Sequence, residues 1–181
     1  MSAPVFTMDV RQWKTTDELR HHLAGHDKMI CGWVRGAVLH HTYRPVQSQW
    51  RGIRSVKAIA RFYQLKGWTA GPHLFICVGA PNPADDGIFQ MTPLNLRGIH
   101  AAQFNKTHWG IEVVGDYDTQ PWPTTLRDVV EQTVTELFRW RGVTPTNFTL
   151  LGHRDTGSLK TCPGRMVNIA DVRSAVARRL A

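Results

Sequence analysis

The chain has 181 residues, 42% of them apolar and 20% charged, and a formal net charge of +8. Those proportions are ordinary for a globular protein with a sizeable core, and one domain is the default at this length. No apolar run is long enough to cross a bilayer, and MSAPVFTMDVRQWK lacks the basic start and apolar stretch of a secretory signal, so the chain is expected to be cytoplasmic as synthesised.

The positive charge points to a polyanionic partner: nucleic acid, an anionic membrane face or an anionic cell wall. No recognition-helix signature, zinc finger or aromatic-basic ribonucleoprotein motif accompanies it, so no nucleic acid is expected and an anionic bacterial envelope ranks first. The one local basic cluster is Arg173, Arg178 and Arg179 near the C-terminus. The three cysteines, Cys31, Cys77 and Cys162, are odd in number and share no spacing. Without an export signal this speaks against a disulfide framework. Cys77 in HLFICV and Cys31 after Met29-Ile30 read as core.

In chain order, Thr16 to His22 opens with a threonine cap and two acids, the signature of a short helix. Val34 to Leu39 reads as a strand that ends at His40, with His41 facing the other side. Gln47 to Leu65 carries apolar residues at helical spacing and is stopped by Gly67. His73 to Val78 and Gly87 to Met91 read as a hairpin around GAPNPADDG. Asp85 and Asp86 there are turn residues rather than a catalytic carboxylate pair. Trp109 to Val114 is a short apolar strand with one charge, Glu112. Residues 124–141 form an amphipathic helix stopped by Gly142, and Val167 to Leu180 a closing helix with a basic end. The alternation predicts a single α/β domain, a mixed β-sheet flanked by helices. It spans residues 1–181, with its core at about 34–164, and the monomer is the expected state.

The chemistry concentrates in LLGHRDTGSLKTCPG, from Leu150 to Gly164. An apolar run delivers His153 to a loop that holds Lys160 and Cys162. Imidazole and thiolate are the preferred zinc ligands, and a catalytic zinc takes three protein ligands and leaves one position to water. The third donor is sought in AVLHHTYRP, where His40 ends another apolar run. Zinc bound this way acidifies its water toward neutrality, and a hydrolytic reaction then needs a general base and an oxyanion donor. Glu112 is the candidate base, because a carboxylate inside an apolar strand is costly unless it has a task or a partner. Lys160, two residues before Cys162, is the candidate oxyanion donor. The second ring nitrogen of His153 needs an acceptor, for which Asp155 and backbone carbonyls are the candidates.

HHT after a strand, then GIEVVG, then GHRD followed by KTCPG occur in this order in the zinc-dependent N-acetylmuramoyl-L-alanine amidases. That family includes phage lysins, wall-recycling enzymes and peptidoglycan recognition proteins. The chain resembles it from about Val34 to Gly164. The resemblance implies the amidase fold and Zn2+ on His40, His153 and Cys162, with His40 chosen over His41 because it matches the family's metal histidine. It implies Glu112 and Lys160 as catalytic residues. Many phage and animal members use a tyrosine in the strand that begins TAGPHLFI; this chain has Pro72 there, which places the proton transfer on Glu112. His73 beside it, and His100 and Asn105 in IHAAQFN, are the implied substrate-binding residues.

The expected activity is hydrolysis of the amide between the lactyl group of N-acetylmuramic acid and L-alanine in peptidoglycan, as a phage or prophage endolysin. A cytoplasmic recycling amidase and a non-catalytic peptidoglycan-binding module are the alternatives. Recognition modules of this family typically lose the cysteine ligand, which is kept here.

Overall fold

A computed structural model describes residues 5–181, so the first four residues of the segment read for an export signal lie outside it. The described residues form six strands and four α-helices joined by short 3-10 turns. In order they are β1 (Arg11–Trp13), α1 (Thr16–Ala24), β2 (Gly36–His41), α2 (Ile53–Leu65), β3 (Leu74–Cys77), β4 (Gly87–Gln90), β5 (His108–Val113), α3 (Thr124–Arg141), β6 (Leu150–Gly152) and α4 (Ile169–Leu180). The strands make one mixed sheet in the order β1-β4-β3-β5-β2-β6. The β3-β5, β5-β2 and β2-β6 pairs are parallel, while β4 pairs antiparallel with β3 and β1. This is the expected α/β layout with a mixed sheet.

Alternation along the strands sends side chains to two different layers. Ala37, Leu39, Trp109, Ile111, Val113, Leu74 and Ile76 enter the larger core, where Leu126, Val130, Val134, Leu137 and Phe138 of α3 and Val172 and Val176 of α4 meet them. Phe75, Cys77 and Phe89 point the other way and pack with Val56 and Ala60 of α2 and with Trp50. α2 covers only part of that second face. The β2 and β5 residues on it, His40 and Glu112, stay uncovered by the helix and line an open groove.

Three local readings shift. The helix expected from Gln47 begins at Ile53, after a 3-10 turn at Gln47–Gln49 and a Gly52 at φ +55°. Trp50, read as part of the helical stripe, is buried from this turn instead. The edge strand β1 was not anticipated; only Trp13 of its three residues is buried. Finally, β2 runs through His40 and His41, so His40 sits within the strand rather than just past it.

Candidate metal centre and groove

His40 lies near the C-terminal end of β2 and is register partner to Glu112 on β5, which in turn pairs with Phe75 on β3. β6 lies on the other side of β2, with Leu39 opposite Gly152, and His153 follows at once. Parallel strands that stop together therefore bring the two histidines side by side, with ring centroids 4.5 Å apart. Cys162 comes from the loop after β6. Its Sγ lies 3.7 Å from His40 Nδ1 and accepts the His41 backbone N–H at 3.4 Å. One donor atom each from His40, His153 and Cys162 lies within 4.8 Å of the others.

Arg154, beside His153, holds the cysteine loop in place. Its backbone N–H donates to the Cys162 carbonyl at 2.8 Å, and its guanidinium donates to the carbonyls of Gly164, at 2.7 Å, and Val167. Asp118, after β5, ties the same loop through the Thr161 hydroxyl at 2.9 Å and the Arg165 N–H at 3.0 Å. Gly164 turns the loop at φ +113°, where a Cβ would come within 2.4 Å of the Tyr117 backbone. Neither Arg154 nor Asp118 was singled out in the sequence; Arg154 stood in view within GHRD.

The donor chemistry fits zinc. Two imidazoles and a thiol form a ligand set of the catalytic type. Zinc bonds of about 2.0–2.3 Å put tetrahedral donors roughly 3.5 Å apart, so the pair separated by 3.7 Å already has that spacing. Burial holds the pKa of His40 well below its ordinary value, assisted by His100, His153 and Lys160, and burial followed by Lys160 lowers that of His153. Both rings thus stay neutral, as ligands must be. Burial, with Glu112 nearby, pushes the Cys162 thiol up to about 12 in the absence of metal. His41 faces away: its Nδ1 accepts the Tyr117 backbone N–H at 3.1 Å.

Glu112 is 8% exposed, and its Oε2 has no hydrogen-bond partner among the described residues. Burial raises its carboxyl to about 8, opposed by the positive charge of Lys160. Lys160 is exposed on the rim and lines the groove with His40, His153, Cys162 and Glu112. The groove encloses about 1250 Å³. Pro72 and Phe75 form part of its floor, and Tyr63 and Trp68 stack at 4.7 Å in its wall.

Of the other expected groove residues, His100 lies in the lining, and His73 and Asn105 lie outside it. His73 is fully buried outside the groove lining; its Nε2 donates to the Leu96 carbonyl and its Nδ1 accepts the Gly110 N–H, both at 2.9 Å. It braces β5 against the 93–99 loop. Asn105 does not line the groove either: its Oδ1 accepts the N–H groups of His100, at 2.9 Å, and Ala101, at 2.7 Å. His100 does line the groove, but both of its ring nitrogens are engaged within the protein. Asp155 accepts the Gly152 N–H at 2.9 Å instead of serving the His153 ring.

The family model for N-acetylmuramoyl-L-alanine amidase matches residues 32–165. The chain belongs to the N-acetylmuramoyl-L-alanine amidase family. Among curated relatives of this amidase-family chain, peptidoglycan-recognition protein LB of Drosophila melanogaster is 28% identical over 130 residues, 70% of this chain and 53% of the relative. The match thus spans about half the length of that relative. Peptidoglycan-recognition protein SC2 of Drosophila simulans is 26% identical over 137 residues, 75% of this chain and 71% of the relative. Among solved structures, the endolysin amidase LysCS of Clostridium intestinale superposes with a TM-score of 0.64 at 20% identity, over 80% of this chain and 84% of that one. Drosophila PGRP-LB superposes at 0.61 with 22% identity, over 93% and 86%. These likenesses establish the fold.

Proposed function

We propose that this chain is a zinc-dependent amidase that cleaves the bond between the lactyl carbonyl of N-acetylmuramic acid and the L-alanine nitrogen of peptidoglycan. The observation that carries this reading is the meeting of His40, His153 and Cys162 donor atoms within 4.8 Å, on the groove that also holds buried Glu112. Zinc held by those three residues would supply a Lewis acid and an acidified water. Glu112 takes the proton from the attacking water and returns it to the leaving alanine nitrogen. Burial raises this carboxyl to about 8 in the metal-free protein, and a zinc ion beside it would favour the ionised form that accepts the first proton. Lys160, on the rim of the same groove, offers its ammonium to the carbonyl oxygen as negative charge develops there. The stacked Tyr63 and Trp68 give the glycan or peptide an apolar wall.

A recognition module has no need of a buried, unpaired carboxylate beside a three-donor cluster, so catalysis is favoured over binding alone. The net charge of +8 supports a lysin that works on an anionic envelope, as a phage or prophage product, over a recycling amidase. The test is digestion of purified sacculi followed by mass spectrometry. Stem peptides with a free L-alanine amino group, together with peptide-free glycan, are expected, and a chelator should abolish both. Binding to sacculi without release of such peptides would contradict the proposal.

A further inference from the structure

We infer that His100 is a positioning residue for the metal centre: it fixes the tautomer and rotation of the His40 ring so that Nδ1 presents its lone pair to the site. The inference rests on the zinc reading above for its consequence, but not for its geometry. His40 Nε2 lies 3.1 Å from His100 Nδ1, and His100 Nε2 lies 3.0 Å from the His108 carbonyl oxygen. A carbonyl only accepts, so His100 Nε2 carries the hydrogen. A neutral imidazole has one N–H, so His100 Nδ1 accepts, and His40 Nε2 must be the donor. That leaves His40 Nδ1 bare, on the side where Cys162 Sγ lies 3.7 Å away. In the metal-free protein the Cys162 thiol can donate to it, which completes a consistent chain from Sγ to the β5 backbone.

His100 is itself held. The Asn105 side chain accepts both its N–H and that of Ala101. Gly110 on β5 clears the space for the ring: a Cβ there would lie 2.5 Å from His100 Cγ. The two imidazoles meet at 89°, with centroids 5.2 Å apart, so His100 holds His40 edge-on. His100 therefore shapes the centre from 60 residues away in sequence without offering a ligand atom. An acceptor on the far nitrogen of a ligand histidine orients the ring and raises its basicity, and its loss typically weakens metal binding by about 10–100-fold.

The experiment compares the full chain with His100→Phe, which keeps a ring but cannot accept, and with His100→Gln, whose carboxamide can both accept and donate. Two quantities are read: the His40 tautomer in metal-free protein by nitrogen-15 NMR, and zinc affinity by chelator competition. Wild type should hold His40 as Nε2–H. His100→Phe should lose that preference and bind zinc roughly 10–100-fold more weakly, and His100→Gln should restore most of both. An Nδ1–H tautomer in wild type would overturn the inference with no variant required. So would His100→Phe that binds zinc within about twofold of wild type. If wild type itself bound no zinc, the functional reading would fail, while the tautomer comparison would still decide the role of His100.

Discussion

Glu112 stands directly opposite His40 in the parallel register of β5 against β2. The sheet thereby sets the spacing between a metal-ligand candidate and a proton carrier, and strand alternation sends both to the face that α2 leaves open. The arrangement has a cost. Between the unfolded value of 4.5 and the folded value of about 8, the native state binds more protons than the unfolded chain, so stability falls as pH rises. The penalty is absent below the lower value and complete above the upper one. Metal-free Glu112→Gln, neutral throughout, should therefore be more stable than metal-free wild type at about pH 8–9, by at least ~1 kcal/mol, with the difference vanishing toward about pH 4–5. Thermal unfolding across pH reads this directly. Parallel profiles for the two proteins would mean that Glu112 is not desolvated in solution.

The cysteines divide by role. Cys162→Ser should lose zinc and hydrolysis together, because a hydroxyl is a poor replacement for a thiolate ligand. Cys31→Ser and Cys77→Ser should keep about one zinc per chain, since Cys31 donates to the Leu94 carbonyl in the core and Cys77 packs under α2. Metal analysis of the three purified variants distinguishes them. Zinc retained by Cys162→Ser at wild-type level would remove the cysteine from the ligand set.

Zinc uptake should also release at least one proton per metal at pH 7, because Cys162 is a thiol without metal and a thiolate with it, and an acidified water and Glu112 can only add to that release. Calorimetric titration in buffers of different ionisation enthalpy measures that number. Uptake with no proton release would show that the cysteine does not ligate.

The C-terminal arginines carry less free charge than their sequence suggests. Arg173 donates to the Leu150 carbonyl at 3.0 Å, and Arg179 bridges to Asp128 at 2.5 Å and to Glu131 at 3.5 Å. Both pin α4 onto the rest of the domain. Arg179→Gln should lower stability by about 1 kcal/mol, the scale of a partly exposed pair. Arg178→Gln should leave stability unchanged and only weaken association with sacculi at low salt. Equal losses of stability in the two variants would refute this division of labour.

Much of the centre was legible because chemistry broke a pattern. Glu112 is one charge in an apolar strand, His40 and His153 end apolar runs, and Cys162 follows a glycine-bearing loop. β1 was not legible: it has three residues, sits at an edge and buries only Trp13. The start of α2 was obscured because Trp50 continues the helical spacing while Gly52 breaks the backbone. The contact of His100 with His40 depends on the tertiary pairing of β2 with β5, which no local pattern encodes. His73 was drawn toward the groove by its place next to Pro72, but its ring is tied to the Leu96 carbonyl and the Gly110 N–H, outside the groove lining.

The most direct measurement is single-turnover cleavage of a muramyl-peptide by wild type, Glu112→Gln and Lys160→Ala, with zinc measured in each protein. Glu112→Gln should bind zinc normally and lose roughly a hundredfold or more in rate, the scale of a general base. Lys160→Ala should keep zinc and lose a comparable amount through the oxyanion, and the double variant should lose less than the product of the two. Near-wild-type cleavage by zinc-loaded Glu112→Gln would contradict the assignment of Glu112 as the proton carrier at this centre.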